Sequence, residues 1–146
     1  YNKIQILNPD SFRNLLNLST LFLNGNRLKN FDASPFYNSI KLYRLDLDSN
    51  EISSLNFQPI DRWSSLRQLS LKNNQLDNLN DLRNLTGLEF LNLAENRLNV
   101  VEKVTFQKMT NLKRLFLNNN HISNIENNSF TSLKHLSQFN LANNSL

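Results

Sequence analysis

Few side chains in this chain have the types and spacing that chemistry requires. Residues 46–50 read Asp-Leu-Asp-Ser-Asn, which imitates the opening of a calcium-binding loop. Such a loop needs glycine at its sixth position and a bidentate glutamate at its twelfth, and here those positions hold Glu51 and Phe57. Leu47 and Asn50 also recur in a pattern that runs along the whole chain. We therefore expect no metal ion at this segment.

The composition supplies neither a catalytic site nor a cofactor site. The chain has no cysteine, which excludes disulfides, thiol catalysis and cysteine-ligated zinc within it. Its two glycines are too few for the loops that hold nucleotide phosphates. The motifs H-E-x-x-H and G-x-S-x-G do not occur, and His121 and His135 fit ordinary surface positions. We expect a chain that is not an enzyme and that binds no cofactor.

The charge is mildly basic and scattered. The net charge is +4, from 16 Lys and Arg against 12 Asp and Glu, without a block of five or six like charges. This mixture disfavours nucleic acid as a partner, because a phosphate backbone selects one sign of charge. The longest apolar run is far shorter than the roughly 18 residues of a membrane span. We expect no membrane insertion by this segment.

One pattern of leucine and asparagine accounts for most of the chain. Leucine occurs 29 times and asparagine 28 times. The pattern L-x-x-L-x-L-x-x-N-x-L recurs six times, with asparagines spaced by 24, 24, 22, 24 and 24 residues. These asparagines are Asn26, Asn50, Asn74, Asn96, Asn120 and Asn144. A fixed period of roughly 20–50 residues predicts a solenoid.

Each copy of the pattern predicts a short strand followed by a turn. Leucines alternate with other residues in the x-L-x-L segment, so the leucines point inward and their neighbours point to the opposite face. The asparagine follows, and its buried amide can pair with backbone groups that the turn leaves unpaired. Stacked copies would bury a continuous core and form an asparagine ladder, which one copy cannot do alone.

A second apolar pattern, F-x-x-[apolar]-x-x-L, lies between the strands. Its phenylalanines are Phe12, Phe36, Phe106 and Phe130. We expect this segment to return the chain along the outer side and to close the core. In one copy Ser39 takes the middle apolar position, and the adjacent Ile40 is the candidate to replace it in the core.

With these motifs the chain resembles the leucine-rich-repeat family over nearly its whole length. The 24-residue period with the trailing F-x-x-L resembles the "typical" class, which in animals is mostly extracellular and includes Toll-type receptor ectodomains and insect immune repeat proteins. The resemblance implies an α/β fold, the leucine-rich-repeat solenoid. This fold is a curved horseshoe with a parallel β-sheet on its concave face and loops and short helical turns on its convex face.

The copies divide the chain into a single array. Its segments are a partial repeat at 1–17, whole repeats at 18–41, 42–65, 66–87, 88–111 and 112–135, and a partial repeat at 136–146. Family members usually close both ends with caps, because a terminal repeat otherwise exposes its core. We therefore expect residues 1–146 to be a slice of a longer, capped array.

The resemblance also implies a module that binds a partner without changing it chemically. We expect a protein or glycoconjugate ligand, or a co-receptor, with homo- or heterodimer formation as a further mode. The natural protein would be a secreted or cell-surface receptor in innate immunity or cell adhesion. An intracellular scaffold, or the repeat region of a bacterial effector, is the alternative.

The candidate ligand-binding residues are strand positions that point away from the core. Phe90 and Phe116 fall on adjacent strands, near enough to share an apolar patch if the register is regular. Charges of both signs around them suit a protein partner. The candidates are Phe22, Arg44, Asp46, Asp48, Lys72, Phe90, Arg114 and Phe116. The alternative is an ordinary solvated surface, on which single aromatic residues are common.

Four N-x-[ST] sequons occur in the chain. With 28 asparagines, about three or four would arise by chance, so their positions are more informative than their number. We expect glycosylation of the natural protein at one or more of Asn17, Asn84 and Asn127. Asn143 adjoins the ladder asparagine and is the poorest candidate.

Overall fold

The computed structural model describes residues 2–58 and 60–146, apart from the side chains of residues 60 and 61. Ten short strands run through this part of the chain. They are β1 (Thr20–Phe22), β2 (Asn30–Asp32), β3 (Arg44–Asp46), β4 (Ser54–Asn56), β5 (Gln68–Ser70), β6 (Phe90–Asn92), β7 (Val100–Val101), β8 (Arg114–Phe116), β9 (Asn124–Ile125) and β10 (Gln138–Asn140). Six of them form one parallel sheet in the order β1-β3-β5-β6-β8-β10, which confirms the predicted parallel solenoid.

The main sheet has a regular register that places leucines on one face. Leu45 of β3 pairs with Leu69 of β5, which pairs in turn with Leu91 of β6. All three leucines are fully buried. On either side of Leu45, Arg44 is exposed and Asp46 is half-buried, because successive side chains of a strand point to opposite faces. The predicted inward leucines and outward neighbours are confirmed on β3, β5, β6 and β8, whereas Phe139, at the inward position of β10, is 45% exposed.

The ladder asparagines join consecutive repeats through their side-chain amides. Asn74 Oδ1 accepts the backbone N–H of Ile52, in the preceding repeat, at 2.9 Å. Asn74 Nδ2 donates to the carbonyl oxygen of Leu47 at 3.0 Å and to that of Leu71 at 3.1 Å. The same three contacts recur at Asn50, Asn96, Asn120 and Asn144. Each amide therefore satisfies backbone groups that the turn would otherwise leave unpaired.

A left-handed residue comes immediately before every ladder asparagine. The φ angles there lie between 54° and 68° at Gly25, Ser49, Asn73, Glu95, Asn119 and Asn143. Glycine adopts this conformation freely, and asparagine tolerates it better than other residues do. Only one copy has glycine here, so the sequence pattern does not predict a left-handed residue at this position. The hydrogen bonds of the ladder asparagine that follows stabilise the turn.

The outer side carries short strands and single helical turns. Strand β2 pairs with β4, and β7 with β9, in two separate two-stranded sheets. The helical turns in the described residues are all 3-10 in type, at Pro9–Ser11, Ser34–Phe36, Ile60–Trp63 and Asn80–Leu82. The 22-residue repeat separates the two outer sheets, because its outer segment is two residues shorter and has no described strand. The predicted short helical turns are therefore present.

Aromatic side chains fill the outer half of the core. The rings of Phe31 and Phe57 lie 5.4 Å apart, and Phe57 is also 5.4 Å from Trp63. The expected replacement of Ser39 by Ile40 in the core is wrong. Ser39 is buried and its hydroxyl donates to the Leu15 carbonyl at 3.1 Å, whereas Ile40 is 48% exposed. The small serine fits because this backbone contact satisfies its hydroxyl.

Candidate ligand-binding face

The outward residues of the main sheet and of the turns just after it form one face, which we call the concave face. It carries all eight residues predicted for ligand binding. Phe22 is 57% exposed, while Phe90 and Phe116 are half-buried. Asp48 and Lys72 lie two residues beyond the ends of β3 and β5 and are also half-buried. The regular register therefore brings these side chains into neighbouring rows on one surface.

Phe90, Arg114 and Phe116 form a compact group that we call the aromatic–arginine patch. The two rings lie 5.8 Å apart and are tilted by 50°. Arg114, which pairs with Phe90 across β6 and β8, places its guanidinium carbon 4.7 Å from the Phe90 ring centroid. A cation over a ring at this distance is attracted to its electron-rich face. The patch is thus an apolar surface with a positive charge stacked on it.

Two asparagines flank Phe116 in the register, one on each neighbouring strand. Asn92 lies on β6 and Asn140 on β10. The Oδ1 atom of each accepts the backbone N–H two residues later, at 3.1 Å and 3.0 Å. This bond turns each Nδ2 group away from the strand, and neither group donates to another protein atom in the described part of the chain. The sequence pattern places both residues among the outward strand positions, but they were not among the ligand-binding candidates, although asparagine commonly bonds to the backbone two residues later in a turn.

The first half of the concave face, around β1 and β3, carries acidic as well as basic side chains. Asp46 and Asp48 lie there, and Arg44 approaches Asp46 at 4.0 Å while it stacks 5.1 Å from the Phe22 ring centroid. Asp46 Oδ1 accepts the Asp48 N–H at 3.1 Å, and Asp48 Oδ1 accepts the Lys72 N–H at 2.7 Å. The carboxylates that imitate a calcium loop are thus bonded to backbone. Among the described residues, no cluster of three His, Asp or Glu side chains could hold a metal ion.

Burial raises the pKa of Asp48, and the neighbouring Asp46 carboxylate adds to this rise. Hydrogen bonds from Ser70 and the Lys72 backbone oppose it, as does the charge of Lys72. The folded state therefore binds this proton more tightly than the unfolded chain does. Ionised Asp48 therefore lowers the free energy of unfolding. This loss develops as the pH rises from the pKa of aspartate in the unfolded chain to the higher pKa of Asp48 in the folded protein, and it stays constant at higher pH.

We expect Asp48→Asn to raise the free energy of unfolding at pH 7 by less than about 1 kcal/mol. The asparagine Oδ1 can still accept the Lys72 N–H, but it carries no charge that must be desolvated. The gain should vanish as the pH falls below the ordinary aspartate pKa of about 3.9, where both residues are neutral. Urea unfolding of both proteins between pH 3 and pH 8 measures this, and a gain that does not change with pH would contradict it.

Ion pairs between repeats border the concave face. Glu89 contacts Lys113 at 2.8 Å and Arg67 at 3.8 Å, and Lys72 contacts Glu95 at 3.2 Å. The hydrogen bond from Lys113 lowers the pKa of Glu89, with further help from the charges of Lys113 and Arg67. These pairs are open to solvent, so they contribute little to stability. They do, however, neutralise the cations beside the face.

The three predicted glycosylation sites are all exposed. Asn17 Oδ1 accepts from Lys41 Nζ at 2.8 Å, and Asn84 Oδ1 accepts from Lys108 Nζ at 2.9 Å. Asn127 has an open side chain on the outer return segment. None of the three lies on a strand of the main sheet.

Comparison with known proteins reveals the same repeat. A family model described as "Leucine rich repeat" matches residues 40–98 and 86–146, which together cover most of the chain. No curated protein matches the sequence. In the described residues, no helix has the length and apolar character needed to cross a membrane.

Two solved structures are similar in fold. TLR13 in complex with ssRNA13 superposes with a TM-score of 0.71 and 24% identity, over 94% of this chain and 23% of that chain. The functional domain of InlJ from Listeria monocytogenes, which includes a cysteine ladder, gives a TM-score of 0.74 and 22% identity, over 97% and 28%. This chain spans about a quarter of the length of either structure. At these identities the likeness shows the fold alone.

Proposed function

Because this chain belongs to the leucine-rich-repeat family, we propose that it binds a protein or glycoconjugate through its concave face, as a non-catalytic part of a secreted or cell-surface receptor. The family is generally a binding scaffold. The observation that carries the proposal is the aromatic–arginine patch, where two half-buried rings and a stacked guanidinium lie on adjacent strands of the main sheet. Aromatic and arginine side chains are the residues that most often anchor protein interfaces.

The charge pattern of the face favours protein over nucleic acid. Arg44, Asp46, Lys72 and Glu95 form pairs of opposite sign, so the face offers no continuous row of cations for a phosphate backbone. TLR13, whose structure holds ssRNA, shows that a similar fold can bind RNA. A steep loss of binding with rising salt would favour that class of ligand here, and a shallow one would favour protein.

Photo-crosslinking in the full-length natural protein tests which face binds. Benzoylphenylalanine at Gln138, which is exposed and pairs with Arg114, reports on the concave face, and the same group at Asn56 on β4 reports on the outer side. We expect one discrete crosslinked partner from position 138 and none from position 56. Phe116→Ser should reduce that product about tenfold, the effect of losing one interface anchor. Equal products from both positions would contradict the proposal.

We also propose that the natural protein carries an N-glycan at one or more of Asn17, Asn84 and Asn127. A secreted or cell-surface receptor passes through the secretory route, where exposed sequons are modified. We expect the intact mass of the protein from its native source to fall after enzymatic removal of N-glycans. If the mass does not fall, the receptor loses its main support, and an intracellular scaffold or a bacterial effector repeat region becomes an equally good proposal.

A further inference from the structure

We propose that the aromatic–arginine patch is an anchor for a polypeptide segment that presents a carboxylate next to an aromatic side chain. The inference rests on the proposed function and specifies the chemistry of the partner at one place on the concave face. Three features of the described residues carry it: the charge of Arg114, which no carboxylate neutralises, the unused amide N–H donors of Asn92 and Asn140, and the half-buried ring of Phe116 between them.

Arg114 differs from the other two cations of the concave face. Arg44 has Asp46 at 4.0 Å and Lys72 has Glu95 at 3.2 Å. In the described part of the chain, Arg114 has no carboxylate within that range, and its neighbours in the row are Phe90 and Gln138. A guanidinium on a ring keeps its planar N–H edge free, and that edge matches a carboxylate in a bidentate contact.

The amides of Asn92 and Asn140 extend this anion-accepting surface. Their oxygen atoms are used by the turns that follow β6 and β10, so the groups left for a partner are the N–H donors. Donors without acceptors on both sides of Phe116 favour an anion or a peptide carbonyl and disfavour a cation. With Arg114, they place hydrogen-bond donors around Phe116.

The Phe116 ring is half-buried, so part of it is open to a second ring from a partner. Beyond the strand ends, Ala142 is small and exposed, whereas Ala94 is buried and Asn118 follows Phe116 in its own repeat. Phe90 and Phe116 already meet at 5.8 Å, so an aromatic side chain from a partner would extend an existing tilted pair. Such ring pairs add to binding beyond the area that they bury.

Asp46 and Asp48 outnumber Arg44 at the far end of the face, and the net negative charge there orients the partner. Asp46 on β3 lies three strand spacings from Arg114 on β8, or about 14 Å at about 4.8 Å per spacing. An extended chain covers that distance in roughly four residues. A segment with a basic group at one end and the carboxylate and ring at the other would therefore match the face in one direction only.

Small probes test the anchor by NMR titration of the 15N-labelled protein. N-acetylphenylalaninate carries the carboxylate and ring, and N-acetylphenylalaninamide carries the ring alone. We expect the carboxylate to bind with a Kd of about 1 mM, typical for a ligand of this size, and to shift the Arg114 Nε–H signal. The amide should bind about tenfold more weakly, since it lacks the charge-assisted bond. Inorganic phosphate should bind more weakly than the aromatic carboxylate, because it gains nothing from the rings.

Substitutions assign the effect to one side chain. Arg114→Gln should abolish the preference for the carboxylate, and Arg114→Lys should retain part of it. Arg97→Gln, at an exposed arginine in a turn outside the face, should leave both affinities unchanged. Equal binding of the two phenylalanine probes, phosphate binding as tight as the aromatic carboxylate, or an unchanged preference in Arg114→Gln would each overturn the anchor.

The probe titration and the crosslinking experiment can fail separately. If position 138 crosslinks a partner but the carboxylate probe shows no preference, the concave face binds protein by other contacts and the anchor is wrong. If the probe binds through Arg114 but no partner crosslinks from position 138, the anchor chemistry stands and the proposed protein-binding function is wrong.

Discussion

Leu91→Ala should lower the free energy of unfolding by about 3–4 kcal/mol, a large fraction of the roughly 5–15 kcal/mol that stabilises an ordinary domain. Leu91 is fully buried in the middle of β6, between Leu69 of β5 and Leu115 of β8. Truncation would leave a cavity at the point where neighbouring repeats meet. Because each repeat is stabilised mainly by its neighbours, a defect here weakens both interfaces. Urea unfolding followed by circular dichroism measures the loss.

The adjacent residue provides the matched control. Phe90→Ala removes a larger side chain from the same strand, yet we expect it to cost no more than about 1 kcal/mol, since the ring is half-buried and loses chiefly its contacts with Arg114 and Phe116. A loss as large as that of Leu91→Ala would show that Phe90 belongs to the core. The aromatic–arginine patch would then not be a surface for a partner.

The opposite orientations of Leu91 and Phe90 illustrate why the fold could be predicted so fully from the sequence. Alternation with a period of two assigns Leu91 inward and Phe90 outward without any tertiary information. The fixed spacing of the asparagines then sets the register of every strand, because each copy repeats the same contacts. In such a solenoid each repeat touches only its neighbours, so local pattern and global fold coincide. The six-stranded parallel sheet follows from these two facts.

The prediction for Ser39 and Ile40 was wrong because the repeat pattern does not include the backbone contact that buries Ser39. The apolar frame required a hydrophobic residue near Ser39, and Ile40 was the closest. The structure instead buries the serine, because the carbonyl of Leu15 in the preceding repeat accepts its hydroxyl at 3.1 Å. The left-handed turns at Ser49 and Glu95 escaped prediction for a similar reason, since residues of these types carry no local signal for that conformation.

The candidate site was predictable in position but not in geometry. The register places Phe90 and Phe116 on adjacent strands, and their proximity follows from it. The stacking of Arg114 on Phe90 depends on the rotamer of a long, flexible side chain, which the register does not fix. The orientation of the Asn92 amide depends likewise on the backbone turn after β6. These details decide what chemistry a partner must bring, and they come only from the structure.

Asn74→Ala should cost about 3 kcal/mol of unfolding free energy, although it removes only a small polar side chain. Asn74 is buried, and its amide accepts from the Ile52 N–H and donates to the carbonyls of Leu47 and Leu71. Alanine would leave these buried groups without their partner, at about 1–3 kcal/mol for each group that water cannot reach. Asn111→Ala, at an exposed asparagine, is the control and should change stability by less than about 0.5 kcal/mol.

Asn74→Asp separates the role of the donor from that of the acceptor. The introduced carboxylate keeps an oxygen for Ile52, but at neutral pH it places negative charge against the Leu47 and Leu71 carbonyl oxygens. Its pKa should therefore be raised in the folded state, so the folded protein binds the proton more tightly and the stability deficit shrinks as the pH falls. Asn74→Ala has no group that titrates, and its deficit should stay constant relative to the parent. Urea unfolding at pH 4 and pH 7 distinguishes the two, and a deficit of Asn74→Asp that is equal at both pH values would mean that the ladder does not depend on its amide donors.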